Sequence, residues 1–549
     1  MNQPDTQRRS WIPVLLPPVA VAALLRGLGL EGQILADDEL HSVHAALTLT
    51  VGQIFGTFTF GGADYGVPLT AFSRFLMDRG VTFSEWTFRF PSLLAGLAAV
   101  IVLPRLAAPR VGRIAAIALA WLIAISPMLV FYSRIIRPYM VTALLACCAA
   151  LLFDRWRRDR SLLNAVAVVV TSAFAVYTHL AAAPLVAGMF FFEALALWRD
   201  TPPRGTRVRE LAQLGLATLL GVALLALPGI GSLLEVVETT RGGWVPSPAT
   251  WLDVTRLELG TSSVFVGLAA SLVLARGVFV LWRSERDLVL YLATLIASQV
   301  VGLILLAPDR LEERMVLSRY MLVVLPLALL VLGVGATARW WPGERRGARR
   351  VETIVAIAGL LALLVSGPLI RPFHRESSFS HMLTSLDFLS AGNRMPAEFV
   401  PAFYTELAAF DERPLIEYPW QNMSAHAFDA YQRVHRQPVY VSSVIDRSDE
   451  SRLALRNRVE PRPEAMLASP ARYVVVHLDL ESEARRLASS DPNFEKWLLA
   501  RDKLWIPLRR AGTSMSDRLS RAFGPPEYID STIVVWDLDA VREQETPRP

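Results

Sequence analysis

The chain has 549 residues, of which 53% are hydrophobic and 19% are charged, with a net charge of +5 and a mean hydropathy of +0.37. A soluble globular domain is less apolar and more highly charged, so this composition excludes an ordinary soluble enzyme. The arginines fall in short clusters between apolar stretches rather than on one basic surface, which argues against a nucleic-acid-binding protein.

Eleven apolar stretches are each long enough, or nearly so, to cross a bilayer as a helix. They are 11–30, 87–107, 112–131, 136–153, 162–178, 180–198, 211–231, 262–282, 287–307, 317–338 and 351–370. The first lacks a small-residue cleavage site, so we interpret it as a retained signal-anchor. Cys147 and Cys148 are adjacent within the fourth, which excludes a disulfide framework and a zinc site. The sequence therefore predicts a polytopic α-helical membrane protein with about eleven transmembrane helices.

Arginine clusters indicate the orientation of these stretches. All of the clusters lie on one side of the membrane if the stretches alternate in direction. They are Arg8-Arg9; Arg105, Arg110 and Arg113; Arg155, Arg157, Arg158 and Arg160; Arg199, Arg204, Arg207 and Arg209; Arg283 and Arg286; and Arg339, Arg345, Arg346, Arg349 and Arg350. Because arginine-rich loops stay in the cytoplasm, we predict a protein of the bacterial inner membrane with a cytoplasmic N-terminus and a periplasmic C-terminus.

The composition changes at about residue 371, where apolar runs shorten and Pro, His, Asp and Glu become frequent. Strand-like runs rich in β-branched residues alternate there with helix-like stretches, which is typical of a small α/β domain. The strand-like runs are 414–418, 439–444, 473–478 and 532–538. We therefore predict a transmembrane domain over 1–370 and a soluble periplasmic α/β domain over 371–549.

The first periplasmic loop, residues 31–86, contains two stretches with helical apolar spacing, 40–58 and 68–80. Such stretches either lie flat in the membrane interface or pack as buried helices. The loop begins with a run of three acids that follows the first apolar stretch closely. Two interpretations fit this run. The acids mark the end of a membrane span, or they hold a catalytic base beside a substrate that is carried by a lipid.

Three arginines on the periplasmic side depart from the charge bias of the other clusters. Arg134 and Arg137 are three residues apart, so at the start of a helix they face the same way. Pro138 suits the first turn of that helix, whose N-terminus favours anions. With Arg319, these residues offer forked donors that match a phosphate group. The alternatives are arginines that extend to the interface and, for Arg319, a local ion-pair group with Glu312 and its neighbours.

These residue types fit glycosyl transfer from a phosphate-linked sugar. That reaction needs a base for the acceptor hydroxyl, cations for the leaving phosphate and an apolar groove for the lipid. Asp38 or Asp37 is a suitable base, because like charges packed together raise the pKa of one another.

Histidine and tryptophan residues on the same side admit two interpretations each. His41, His44 and His179 suit metal coordination with the acids, although a histidine is more often a satisfied polar residue. Trp244 and Trp251 suit stacking on a sugar ring, although tryptophans are common at any membrane interface.

Taken together, these residues resemble a known family, the GT-C type membrane glycosyltransferases that include protein O-mannosyltransferases and the lipid A aminoarabinose transferase. Four features carry the resemblance, which covers about residues 10–340. They are Asp38-Glu39 in the first loop; Arg89-Phe90-Pro91-Ser92-Leu93 at the second span; Ser126-Pro127 with Tyr132-Ser133-Arg134 and Arg137-Pro138-Tyr139; and Tyr177-Thr178-His179 with Arg319-Tyr320 before Pro326.

The resemblance implies a role for each matching residue. Asp38 would be the catalytic base with Glu39 shaping the site, and Arg137, together with Arg134 and Arg319, would hold the polyprenyl phosphate. Substrate contacts are expected from Tyr132, Tyr139, His179, Tyr320 and Trp244. The family generally acts without a bound metal, so no metal or other cofactor is expected. Asp37 departs from the family pattern and leaves the choice of base between Asp37 and Asp38 open.

The expected partners are a polyprenyl-phosphate-linked sugar donor, an envelope glycan, lipid or protein acceptor, and the lipid bilayer. Two other functions compete with glycosyl transfer. A flippase or transporter of lipid-linked sugars would place ionisable groups in the middle of its spans, whereas here Arg276 is nearly alone there. A non-catalytic envelope assembly protein would need the C-terminal tail and not the acids.

Overall fold

The computed structural model gives the helices, strands and side-chain contacts of most of the chain. The described residues are 11–28, 30, 39, 42, 45–46, 49–60, 63–64, 66–81, 85–199, 205–232, 245–261, 263–308, 311–312, 314–338, 358–363, 365–366, 400–407, 415–418, 431, 439–440, 463–468, 471–479, 483 and 505–545. They form two compact units. The bundle unit comprises Met1–Leu28 and Arg89–Phe373, and the second unit comprises Gly29–Phe88 and His374–Pro549.

Helices dominate the described part of the chain. In chain order the α-helices are α1 (Ile12–Gly27), α2 (Val51–Phe55), α3 (Val67–Asp78), α4 (Glu85–Val111), α5 (Arg113–Ile125), α6 (Pro127–Tyr132), α7 (Tyr139–Asp159), α8 (Leu162–Thr178), α9 (Ala183–Arg199), α10 (Gly205–Ala226), α11 (Pro248–Leu259), α12 (Val264–Ser284), α13 (Arg286–Leu306), α14 (Arg314–Met321), α15 (Leu325–Thr337), α16 (Ala402–Leu407), α17 (Pro463–Ala468), α18 (Trp505–Phe523) and α19 (Leu538–Glu545). The strands are β1 (Thr59–Phe60), β2 (Ala63–Asp64), β3 (Leu415–Tyr418), β4 (Val439–Tyr440), β5 (Tyr473–His477), β6 (Tyr528–Ile529) and β7 (Ile533–Asp537).

The protein is a multi-pass membrane protein. Within the described residues, 6 helices are long and apolar enough to cross a membrane, and a bent helix pair raises this number to 7. The three shorter apolar helices α1, α5 and α8 coincide with further predicted spans. The eleventh predicted span, 351–370, lies mostly outside the described residues, so the count of eleven stays a prediction. Helices α10 and α12 leave most of their apolar surface uncovered, as helices that face lipid do.

Two predicted spans are broken rather than continuous. Stretch 112–131 divides into α5 and α6 at Ser126-Pro127, and stretch 317–338 divides into α14 and α15, which are inclined by 75°. In each case a proline, Pro127 or Pro326, lies at the start of the second helix. Proline lacks the N–H that would continue the first helix and is tolerated in the first turn of a new one. The breaks place non-helical backbone within these spans.

Glycines allow α12 and α15 to cross at very short distance. A Cβ at Gly277 would lie 2.0 Å from the carbonyl oxygen of Val331, and a Cβ at Gly335 would lie 1.9 Å from that of Val273. Beside this crossing, the guanidinium of Arg276 donates to the carbonyl oxygens of Gly335 and Ala338, the latter at 2.8 Å. Arg276 therefore satisfies the end of α15.

Ion pairs join the ends of several bundle helices. Arg157 on α7 binds Glu193 of α9 at 2.7 Å and Asp287 of α13 at 3.1 Å. Arg110 on α4 binds Asp154 of α7 at 3.3 Å and also reaches Asp287 at 3.3 Å. The arginines that predict the orientation are thus partly neutralised by acids from neighbouring helices. An α-helix rises about 1.5 Å per residue, so the network residues Asp154 and Arg157 lie about 25 Å along α7 from its first residue, Tyr139.

The second unit contains part of the first loop. Within the predicted helical stretches 40–58 and 68–80, the structure has the short helix α2 and the longer helix α3, joined by the antiparallel hairpin β1–β2. Thr50 and Gln53 form a capping box at the start of α2. Gly66, with a φ of 68°, precedes α3 in the left-handed conformation that glycine adopts without strain.

The rest of the second unit contains a five-stranded sheet with the order β4-β3-β5-β7-β6. Strand β3 pairs in parallel with β4 and β5, whereas β7 pairs antiparallel with β5 and β6. Each of the four predicted strand-like runs contains one of these strands, and β6 is additional. One face of the sheet, with Val474, Val476 and Trp536, packs against apolar residues of the helices α17, α18 and α19.

Candidate active site at one end of the bundle

Two arginines share the ring of Tyr139, the first residue of α7. The guanidinium carbon of Arg137 lies 5.7 Å from the ring centroid, and that of Arg319 lies 5.6 Å from it. The same ring has Tyr132 at 5.1 Å and His179 at 5.0 Å, measured between ring centroids. Residues from three separate parts of the sequence therefore meet at one place, and all of them are among the predicted site residues.

Tyr320 completes this group, which we call the Tyr139 cluster (Tyr132, Arg137, Tyr139, His179, Arg319 and Tyr320). Its ring lies 5.5 Å from that of His179 and 5.3 Å from the guanidinium of Arg319. A buried glutamine holds two sides of the cluster together. The Gln299 Nε2 donates to the carbonyl oxygens of Ala181, at 2.9 Å, and Tyr320, at 3.0 Å. Gln299 was not among the residues predicted for the site, although an amide inside the apolar helix α13 is a signal of internal hydrogen bonding.

The Arg-Phe-Pro-Ser motif supports the backbone of Arg137. Ser92 on α4 is buried, and its hydroxyl donates to the carbonyl oxygen of Arg137 at 3.1 Å. One residue further, the carbonyl of Pro138 accepts a hydrogen bond from Thr142 at 2.9 Å. The Thr142 hydroxyl also lies 2.9 Å from that of Thr178, which precedes His179. The first bond fixes the turn before α7 to α4, and the last joins the first turn of α7 to the end of α8.

Arg134 differs from Arg137 and Arg319 in what it contacts. Its Nη1 donates to the carbonyl oxygens of Leu28 at 2.8 Å and Leu25 at 3.0 Å, at the end of α1. Arg26 on α1 does the same for α5, donating to Ala124 at 2.9 Å and to the preceding carbonyl. The last carbonyls of a helix have no partner within it, so Arg134 satisfies the end of α1 and Arg26 satisfies the end of α5. The sequence signal for Arg26 was its position as the only charge in the first span.

This arginine pair depends on a glycine of α4. The Arg26 Nε donates to the hydroxyl of Ser133 at 3.1 Å. A Cβ at Gly96 would lie 2.1 Å from that hydroxyl oxygen and 2.8 Å from the Arg26 Nε. Only a residue without a side chain therefore fits at Gly96 while both groups keep their places.

His179 has a defined orientation within the Tyr139 cluster. It has an extended backbone between α8 and a short 3-10 helix, Leu180–Ala182. Its Nδ1 accepts a hydrogen bond from the backbone N–H of Ala181 at 3.1 Å. An accepting Nδ1 places the proton of a neutral imidazole on Nε2, which leaves an N–H on the other side of the ring.

The predicted acids and one tryptophan require separate treatment. Asp37, Asp38 and Trp244 lie outside the described residues, as do His41 and His44. Glu39 is described, belongs to the second unit and is fully buried. Within the described part of the chain, no group of three or more His, Cys, Asp or Glu side chains is arranged to hold a metal ion. The described part of the site is thus a cationic and aromatic cluster.

A second buried polar group lies in the second unit, on the face of the five-stranded sheet opposite the apolar core. His477, at the end of β5, lies between the carboxylates of Glu483, at 2.9 Å, and Glu417 of β3, at 3.8 Å. The hydroxyl of Tyr404 donates to Glu417 at 2.6 Å, and that of Tyr431 donates to Glu483. Burial alone lowers the pKa of His477, but the two carboxylates outweigh burial and raise the pKa to about 9. Burial also raises the pKa of Glu417, so the folded group binds more protons than the unfolded chain.

Comparison with known proteins relates the bundle to solved structures. No protein-family model matches the chain, and no curated protein matches it by sequence. ArnT from Cupriavidus metallidurans in the apo state gives a TM-score of 0.56 at 14% identity, covering 97% of this chain and 99% of that chain. ArnT bound to undecaprenyl phosphate gives 0.56 at 13% identity, covering 96% and 98%. The archaeal oligosaccharyltransferase AglB from Archaeoglobus fulgidus, with an inhibitory peptide and a dolichol-phosphate, gives 0.48 at 11% identity, covering 89% and 72%.

The likeness to ArnT extends over nearly the whole of both chains. At this level of identity it establishes a shared fold. The predicted resemblance to the GT-C type membrane glycosyltransferases is thereby confirmed at the level of the fold, and the activity of this chain has to be argued from its own residues.

Proposed function

We propose that the protein is a glycosyltransferase. It moves a sugar from a polyprenyl-phosphate donor to an acceptor at the periplasmic face of the inner membrane. The observation that supports this most is the Tyr139 cluster, in which two guanidinium groups lie against one aromatic ring at the end of the bundle. It occurs in a chain with the fold of a protein whose structure holds undecaprenyl phosphate.

In this proposal Arg137 and Arg319 bind the lipid phosphate. Each guanidinium can form paired hydrogen bonds to phosphate oxygens. Two guanidinium groups on one ring present their charge to a single anion before it binds, which lowers the cost of ordering them. Arg134 contributes indirectly, because its Nη1 binds the end of α1 and so fixes the segment that carries Arg137.

The proposed reaction uses a carboxylate as the base and two arginines as partners of the phosphate. The acceptor hydroxyl attacks the anomeric carbon, its proton passes to the carboxylate of Asp38 or Asp37, and the bond from that carbon to the phosphate oxygen breaks. The electron pair of the broken bond stays on the polyprenyl phosphate, which gains negative charge. Arg137 and Arg319 stabilise this charge as it develops. Glu39 shapes the site beside the base, and Tyr132, Tyr139, His179, Tyr320 and Trp244 surround the sugar.

The acceptor in this reaction is an envelope glycan, lipid or protein on the periplasmic side. We also propose a transmembrane domain over 1–370 and a periplasmic domain over 371–549, with eleven spans and a cytoplasmic N-terminus.

The transporter alternative is weakened by the contacts of the polar residues inside the bundle. Arg26, Arg276 and Gln299 all donate to backbone carbonyls of neighbouring helices, which is a structural role.

The test is sugar transfer in proteoliposomes with a panel of polyprenyl-phosphate sugars. We expect wild-type protein to release polyprenyl phosphate from at least one donor in the presence of envelope extract as acceptor. The variant Asp38→Asn or Asp37→Asn, whichever removes the base, should lose about 100-fold or more of this rate, the usual contribution of a general base. Full activity in both asparagine variants would exclude the mechanism, and binding of the lipid without transfer from any donor would favour a transporter or an assembly protein.

A further inference from the structure

Helix α11 lies along α14, the short helix that carries Arg319. Two hydrogen bonds join α11 to this segment, one to Glu312 just before α14 and one to Ser318 within α14. The Thr250 hydroxyl donates to the carbonyl oxygen of Glu312 at 3.1 Å, and the Ser318 hydroxyl donates to the carboxyl Oε1 of Glu258 at 2.9 Å. Because Ser318 precedes Arg319 directly, the second bond acts next to one of the two proposed phosphate ligands.

The same end of α11 also packs against α6, which ends at Tyr132. Gly260 follows α11 in the left-handed conformation, with a φ of 73°. A Cβ at this glycine would lie 2.6 Å from the Cδ of Pro127, the first residue of α6. The C-terminal turn of α11 therefore contacts α6 and α14, two of the helices that bring residues to the Tyr139 cluster, and Glu258 lies in that turn.

Glu258 is unusual among the described acids. Its Oε2 is buried and has no hydrogen-bond partner. Burial raises the pKa of Glu258 to about 8, against the opposing effect of the Ser318 hydroxyl. Besides Glu258, the titratable groups on α11 and on the helices α6 and α14 packed against it are Asp253, Arg256, Arg314, Arg319, Tyr320 and Tyr132. Asp253 binds both Arg256 and Arg314, each at 3.5 Å.

A carboxyl in this place is costly for stability. Burying a polar group that is only partly hydrogen-bonded costs more than burying an apolar side chain of the same size. The bond to Ser318 alone does not require an acid, because an amide oxygen accepts a hydroxyl proton equally well. What Glu258 contributes beside Arg319 is therefore a hydrogen-bond acceptor for Ser318, placed there at a cost to the stability of the bundle.

We propose that Glu258 is a positioning residue for phosphate binding: through Ser318 it holds α14 so that Arg319 stays against Tyr139. This inference rests on the proposed function. It assigns the neutral form of the carboxyl to the competent site, since a carboxylate in the same place would repel a bound phosphate. Affinity for the lipid phosphate should accordingly fall when Glu258 ionises.

The experiment measures binding of polyprenyl phosphate alone, and then transfer, for Glu258→Gln, Glu258→Ala and Ser318→Ala in the full chain. We expect the two alanine variants to bind polyprenyl phosphate about tenfold more weakly, with the KM for the donor raised and kcat little changed. Glu258→Gln should bind as wild type does at pH 7. It should also lack the loss of affinity that wild type shows as the pH rises through about 8. Glu312→Gln, an exposed acid of the neighbouring segment, is the matched control and should behave as wild type.

The outcomes separate the two proposals. Wild-type binding that is unchanged in Glu258→Ala and Ser318→Ala would refute the positioning role and leave the proposed function intact. Absence of binding to wild type would refute the proposed function and this inference with it. If the alanine variants fail to fold, the pH profile of Glu258→Gln decides, and a profile identical to that of wild type overturns the inference.

Discussion

Replacing Tyr139 by leucine removes the ring that both proposed phosphate ligands share. The guanidinium groups of Arg137 and Arg319 lie 5.7 Å and 5.6 Å from its centroid, and each such contact contributes about 0.5–1 kcal/mol. Losing both costs about 1–2 kcal/mol, which at 1.4 kcal/mol per tenfold weakens the binding of polyprenyl phosphate about 5- to 30-fold. The reason is that the two cations lose the surface that orders them before the anion arrives.

The assay is equilibrium binding of polyprenyl phosphate to purified protein in nanodiscs, with Tyr139→Phe as the matched control. Phenylalanine keeps the ring and removes only the hydroxyl, so its affinity should stay within about twofold of wild type. Thermal unfolding of each variant shows whether the smaller leucine leaves the bundle intact. An affinity of Tyr139→Leu equal to that of wild type would refute the role of the ring. An equal loss in both variants would assign the effect to the hydroxyl.

Three further predictions concern two residues that hold the site in place and one residue of the second unit. Ser92→Ala removes the hydrogen bond to the backbone of Arg137 and should weaken lipid-phosphate binding about fivefold, the effect of about 1 kcal/mol, as measured in the same binding assay. Gly96→Ala should lower the thermal midpoint by several degrees, since its Cβ would overlap the arginine pair and overpacking costs about 1–3 kcal/mol. Gly52→Ala, where nothing lies within 4 Å, should not lower it. The stability that His477 contributes should be complete below about pH 6.5 and be lost as the pH rises through about 9; hydrogen exchange of the β5 amides in the full chain measures this, and protection that grows over that range would contradict it.

Much of the fold follows from the sequence, because length and apolarity alone fix where a helix can cross a bilayer. The strand-like runs 414–418 and 473–478 were similarly visible, since β-branched residues concentrate where a chain forms a sheet. The 75° bend within 317–338 was not predicted. Its signal was Pro326, but a proline in a membrane helix is also tolerated without a break when neighbouring groups satisfy the backbone.

The site was predictable as a set of residue types and much less so as a set of contacts. Arg137, Tyr139, His179 and Arg319 were singled out and do lie together. Gln299 was missed because both carbonyls that it binds lie on other segments, and no local pattern shows which distant carbonyl an amide meets.

The Tyr-Ser-Arg-x-x-Arg-Pro-Tyr segment divides into two functions that its sequence does not distinguish. Arg134 is fully buried and donates to carbonyl oxygens at the end of α1, and Arg26 donates in the same way at the end of α5. Arg137 is three residues later and lies against the Tyr139 ring instead. If residues 133–138 formed a helix, both arginines would lie on one face and could bind the same anion. These residues form a turn instead, and the two side chains contact different partners. Half of the motif therefore builds the bundle, and the other half carries the residues that we propose for substrate binding.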